Sequence, residues 1–183
     1  MASVQAVVAP DASGFALAGQ VGAALEAVEG PPATTPPSRS CARATALWHP
    51  AEGLATPLST NNVPANWIIH VNGAHPHWRP VAGCAANGAL RPTADTNIGD
   101  KLTKSVKNCL AVADQKNLKS IALPSIGSGK GGLEKADAAR IILRAIHDYF
   151  VNVMSSSLKD VFFVLFDAES LAVYRDELAK LDA

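Results

Sequence analysis

Apolar residues recur along this chain in two alternating rhythms. Four short runs stand out: Val4–Pro10 (VQAVVAP) and Asn66–Asn72 (NWIIHVN), rich in β-branched residues, and the apolar Ser120–Pro124 (SIALP) and Asp160–Phe166 (DVFFVLF). Runs of this kind predict buried strands, and Pro10 predicts the end of the first. The unbroken apolarity of the last run predicts a central strand covered on both faces. Four other segments repeat their apolar residues at helical spacing. They are Val21, Ala24, Leu25 and Val28 before a stop at Gly30; Leu102, Val106, Cys109, Leu110 and Ala113; Ala138, Ile141, Ile142, Ala145, Ile146, Tyr149, Phe150 and Val153; and Leu171, Tyr174, Leu178 and Leu181 behind a capping Asp167. Strands alternating with helices predict an α/β protein, a three-layer α/β/α sandwich around a mixed, mainly parallel sheet. Two stretches break the rhythm, a Pro-rich irregular one at 31–54 and an irregular insertion at 73–97.

Composition narrows the class. With 183 residues, 48% of them hydrophobic, the chain predicts one domain spanning 1–183. Sixteen basic residues balance sixteen acidic ones, so no large field favours duplex nucleic acid or an anionic membrane. Any anion must be held locally. Neither a spanning apolar segment nor a secretory signal is visible, and the three cysteines, Cys41, Cys84 and Cys109, are odd in number and widely spaced. A soluble, intracellular protein is expected, with Cys109 as core and Lys101, Lys104 and Lys107 on a solvated helix face.

The chemistry concentrates in PSIGSGKGG, Pro124–Gly132, between an apolar strand and one long amphipathic helix. Ligands of open α/β sheets sit where strands end and helices begin, because unpaired N–H groups and the helix dipole favour an anion there. Glycines 127, 129, 131 and 132 let backbone N–H groups approach an oxyanion, while Ser128 adds a hydroxyl and Lys130 a countercharge. A mononucleotide P-loop fails, since Pro124 stands at its first glycine and Gly131 follows Lys130. Gly127, Gly129 and Gly132 match a dinucleotide fingerprint literally. The acidic residue due about twenty positions later then falls near Asp148, inside the long helix, and only one strand remains afterwards.

The segments SVKNCLAVADQKNLKSIALPSIGSGKGG, YFVNVMSSSLKDVFFVLFDAES and ELAKLDA resemble macro domains, specifically those at the carboxyl end of a core-histone variant. QAVVAPDASGFALAGQVGAALE and VPANWIIHVN resemble two further parts of the same domain. The resemblance implies a macro domain fold without the family's usual first strand, with Ala12 at an asparagine position and the prolines from Pro31 to Pro37 where the family has a helix. It implies a binding module for ADP-ribose, or for the ends of poly-ADP-ribose, that needs no further cofactor. By the same resemblance Ser125, Ile126, Gly127, Ser128, Gly129, Lys130 and Gly131 surround the diphosphate and distal ribose. Gly19, Val21 and Gly22 close over the same groups, Gly73 lies near the ligand, and Phe163 packs against the adenine. Taken as an ordinary strand aromatic, Phe163 is simply core.

No catalytic residues and no metal site are expected. His70, His75 and His77 lack a paired cysteine or carboxylate at ligand spacing, and Ser128 lies outside a nucleophile elbow. The partners implied are ADP-ribosylated proteins and, by analogy, nucleosomes in a nuclear, chromatin setting, without sequence-specific nucleic-acid or membrane binding. Two alternatives stand beside this: an ADP-ribosyl or nucleotide hydrolase using the same cleft, and a ligand-free interaction module.

Overall fold

A computed structural model describes residues 4–12, 16–17, 19–29, 53–57, 65–72, 98–128 and 133–181. The strands are β1 (Ala6–Ala12), β2 (Ala16–Leu17), β3 (Gly53–Pro57), β4 (Trp67–Asn72), β5 (Ser120–Pro124) and β6 (Asp160–Val164). The helices are α1 (Gly19–Glu29), α2 (Ile98–Gln115), α3 (Lys135–Asn152) and α4 (Ala168–Leu181). The sheet runs β3-β4-β1-β5-β6, with β2 paired to β1. β4, β1, β5 and β6 are parallel, while β3 and β2 are antiparallel to their neighbours. The sandwich around a mixed, mainly parallel sheet is therefore the one its sequence predicts.

One residue aligns three strand starts. The Gln5 backbone N–H donates to Ser120 Oγ at 3.0 Å, its carbonyl accepts from Asn66 and Trp67 at 3.0 and 3.1 Å, and its side-chain oxygen accepts from the Lys119 N–H. β1, β4 and β5 thus begin level, and β5, ending at Pro124, stops short of β1 and β4.

The alternation of a strand sends Ala6 and Val8 of β1, Ile69 and Val71 of β4, and Ile121 and Leu123 of β5 to one face. There they pack against Leu102, Val106, Cys109, Leu110 and Ala113 of α2 and Ala138, Ile142, Ala145 and Tyr149 of α3. The opposite face carries a smaller cluster of Ala9, Ile68 and Leu25, with Val21 packed against it. α2 ends where Asn117 adopts a positive φ of 54°, with the Leu118 N–H bonded to the Ala113 carbonyl and the Asn117 N–H to that of Asp114. That paired closure satisfies the last carbonyls of the helix and turns the chain into β5. The Asp114 carboxylate accepts from Tyr149 Oη at 2.6 Å, Ser156 Oγ at 2.9 Å, and the N–H and Oγ of Ser157 at 2.8 and 2.9 Å. Burial raises its pKa, but these four donors outweigh burial and hold it below the usual carboxylate range.

Four expectations are corrected. β1 does not stop at Pro10 but continues to Ala12, with Pro10 in register with Val71 and Ala12 opposite Ala16. Of the four apolar residues marked on α1, Leu25 is buried and Val21 half-buried, whereas Ala24 and Val28 are exposed. β6 is an edge strand in the described sheet, not a central one. Its Val161 and Phe163 pack on the core, while Phe162, Val164 and the following Phe166 are 37%, 52% and 73% exposed. On α4 the leucine stripe faces outward, with Leu171, Leu178 and Leu181 exposed, and the inward face is Ser170, Tyr174 and Glu177. Ion pairs to α3 and within α4 lie alongside that face. Lys135 reaches Asp167 at 2.8 Å and Glu169 at 2.6 Å, and Glu177 holds Lys180 at 2.6 Å and Arg140 at 3.4 Å.

The lysine face of α2 is only partly solvated, since Lys107 pairs with Asp148 at 3.6 Å. β3 begins at Gly53, inside the stretch expected to be irregular up to 54. The rest of that stretch, the insertion at 73–97, and Cys41, Cys84, His75 and His77 lie outside the described residues.

Candidate functional site

The parallel register fixes where the predicted site residues meet. β1, β4, β5 and β6 end on the same side of the sheet, and a predicted site segment lies at or beyond the end of each. β1 passes through the short β2 into α1, whose first residues are Gly19, Gln20, Val21 and Gly22. β4 ends at Asn72, and Gly73 follows outside the described residues. β5 leads into Ser125–Ser128, and β6 carries Phe163 one residue before its end. Gly129, Lys130 and Gly131 also lie outside the described residues.

The described part of the glycine loop is tied down from within. The Ile126 N–H donates to the Pro124 carbonyl at 2.9 Å, Ser128 Oγ to the Ser125 carbonyl at 2.9 Å, and the Leu133 N–H to the Gly127 carbonyl at 2.8 Å. The last bond closes the loop at its base. Gly127 has φ +82°, the left-handed region that a side chain disfavours. Space is not what demands glycine there, because an added Cβ would meet Leu102 Cδ2 at an ordinary 3.6 Å. Among the described residues, no acceptor is bonded to the Gly127 or Ser128 N–H. These two amides are therefore available as donors.

Two predicted residues contribute differently from what their place in the loops implies. The Ile126 side chain is 2% exposed within the core, and its N–H is already spent on Pro124, so it anchors the loop. The Val21 side chain packs against the smaller core cluster. Phe163 lies on the covered face, its ring centroid 4.8 Å from that of Tyr174 at a tilt of 51°. Tyr174 is itself 2% exposed and donates its hydroxyl to Ser125 Oγ at 3.1 Å. This tyrosine, placed in the apolar stripe by its spacing, is the residue whose connection to the site went unread. The usable signal is that a buried phenol must find a polar partner.

The helix starts at the site differ in charge. α1 has no acidic residue in its first turn, so its positive end is open to an anion. α3 begins only at Lys135, behind Glu134, with Asp137 in its first turn. With those carboxylates at its start, α3 offers an anion less than α1 does. Among the described residues, no group of three or more His, Cys, Asp or Glu could hold a metal, and His70 is a buried strand residue.

The family model for the macro domain matches residues 12–142. The chain belongs to the macro domain family. Histone macroH2A1.1 of Capsaspora owczarzaki is 38% identical over 173 residues, covering 94% of this chain. The macro domain chain spans only 42% of that relative's length. An O-acetyl-ADP-ribose deacetylase of Klebsiella pneumoniae is 34% identical over 127 residues, covering 69% of this chain and 63% of the enzyme. Among solved structures, the Oceanobacillus iheyensis macrodomain with ADP superposes with a TM-score of 0.70 at 22% identity, covering 99% of this macro domain and 86% of its own chain. The Trypanosoma brucei macrodomain in complex with ADP-ribose gives 0.69 at 19% identity, covering 96% and 64%. At those identities the two structures speak for the fold.

Proposed function

We propose that this macro domain is a non-catalytic binding module for ADP-ribose, or for the ADP-ribose ends of poly-ADP-ribose, at the carboxyl ends of β1, β4, β5 and β6. The observation that carries the reading is the convergence of a carboxylate-free helix start, α1, and a glycine loop with two available amides at one end of a parallel sheet. A diphosphate suits that pair, since backbone N–H groups and a helix dipole bind anions without needing a basic surface. The chain's zero formal net charge makes such local binding necessary. Phe163 supplies an aromatic for the adenine, and Gly19, Gly22, Gly73 and the loop to Gly131 border the rest of the ligand.

A binder is favoured over an enzyme because the Ser128 hydroxyl donates within its own loop, to the Ser125 carbonyl, and not to a base that could activate it. The histone relative points the same way and suggests chromatin as the setting, with ADP-ribosylated nuclear proteins as partners. The similarity to an O-acetyl-ADP-ribose deacetylase favours a second reading, hydrolysis in the same cleft. Calorimetric titration with ADP-ribose tests the first: saturable one-to-one heat is expected, reduced by Gly129→Glu. A folded protein giving no heat at about 1 mM ligand, the range of the weakest specific binding, rejects it. Release of acetate from O-acetyl-ADP-ribose with turnover would establish the enzyme instead.

A further inference from the structure

We propose that Tyr174 is a positioning residue that couples the two ends of this site, orienting the Ser125 hydroxyl for the phosphates while supporting Phe163 for the base. The inference rests on the ADP-ribose reading above. Phe163 on β6 and Ser125 in the loop after β5 have no bond to each other among the described residues. Tyr174, on neither strand, touches both: ring to ring with Phe163 at 4.8 Å, and hydroxyl to Ser125 Oγ at 3.1 Å.

The chemistry follows from proton direction. A serine hydroxyl has one proton to give and two lone pairs. By donating to Ser125 Oγ, Tyr174 occupies a lone pair and turns the serine's own proton elsewhere, as a donor at the head of the glycine loop. Tyr174 stays protonated to do so, because burial raises its pKa and outweighs the opposing bond to Ser125. Its helix is held firmly. Asp167 caps α4, accepting from the Ser170 N–H at 2.7 Å and the Ser170 hydroxyl at 2.8 Å, and the Lys135, Arg140 and Glu177 ion pairs fasten α4 to α3. A buried tyrosine on a clamped helix can therefore keep its two partners in register before ligand arrives.

Two conservative substitutions in the full chain, Tyr174→Phe and Ser125→Ala, and the double variant test this. ADP-ribose is titrated by calorimetry and adenosine by NMR. Each single variant is expected to weaken ADP-ribose by about 3- to 10-fold, the range of one hydrogen bond, and the double variant to lose no more than either. Adenosine affinity is expected to stay within about twofold, because the Phe163 contact needs only the ring. Losses that multiply in the double variant, equal losses for both ligands, or no loss for ADP-ribose would overturn the coupling. If the unsubstituted protein fails to bind ADP-ribose, the binding reading falls and the coupling with it. Binding by the unsubstituted protein with no effect of Tyr174→Phe removes the coupling alone. Tyr174→Phe removes one oxygen and keeps the ring that packs on Phe163, so its thermal unfolding, recorded beside the titrations, is expected to show a folded protein.

Discussion

Gly127→Ala separates backbone strain from steric exclusion. At φ +82° a non-glycine residue costs about 1–2 kcal/mol, whereas the new Cβ would sit at ordinary contact distance from Leu102 Cδ2, 3.6 Å. The variant has two ways to bear that strain. If the loop keeps its shape, the whole cost falls on stability, and for a chain of this size Tm drops by about 2–8 °C with ADP-ribose affinity retained. If the loop relaxes to negative φ, Tm holds and the Gly127 and Ser128 amides turn away, so affinity falls by about 5- to 30-fold. The two losses, converted to free energy, should sum to about 1–2 kcal/mol. Thermal unfolding followed by circular dichroism gives one and calorimetric titration the other. D-alanine at 127, introduced by semisynthesis, favours positive φ and should restore both. Loss of neither property, or a Tm drop beyond about 10 °C, would show that positive φ is not what makes glycine necessary at 127.

Asp114→Ala strands Tyr149, Ser156 and Ser157 together, and urea unfolding at pH 7 should show a loss of about 1–3 kcal/mol, with ADP-ribose affinity per folded molecule unchanged. Because the folded carboxyl has a depressed pKa, its contribution is complete above the ordinary aspartate value and fades as pH falls through the lower folded one. The variant's deficit should therefore shrink below about pH 4, and a deficit constant from pH 7 to pH 3 would contradict this. Ile142→Ala opens a cavity between α3 and the sheet and should cost about 2–5 kcal/mol in the same assay. Cys109, whose thiol burial pushes up to about 12, should resist a thiol reagent at pH 8 in a Cys41→Ser, Cys84→Ser background until the domain unfolds. Labelling faster than global opening would place it outside the core.

What the sequence conveyed was whatever a segment's own periodicity decides. The five apolar residues marked on α2 are all buried, and β5 has the bounds its apolar run suggests. Periodicity does not say which neighbours exist. DVFFVLF reads as doubly covered because all its side chains are apolar, yet Phe162 and Val164 have no helix over them among the described residues. The leucines of α4 similarly lost the contest to Tyr174 and to polar residues that meet partners on α3. β3, with the sequence GLATP, has little strand character of its own and is held by its antiparallel pairing with β4. At the site, the loop's composition pointed to its place in the fold, but not that Ile126 turns inward. A residue's orientation inside a loop is set by bonds such as Ile126 to Pro124, which leave no trace in composition.

The first strand of this chain is the middle of its sheet. β1 pairs with β4 about sixty residues later and with β5 at a separation of 115, the span bridged by Gln5 and Ser120. During synthesis at about 5–20 residues per second, the emerged β1 therefore waits between roughly 6 and 23 s for its second partner. Until then Val7, Val8 and Ala9 form an apolar segment with an unpaired edge, the state most exposed to wrong pairing. The glycine loop, directly after β5, is made within a few residues of the strand that covers the second edge of β1. The α3 residues of the core, and Phe163 and Tyr174 of the site, come only afterwards, so the loop is in place before the rest of its site exists.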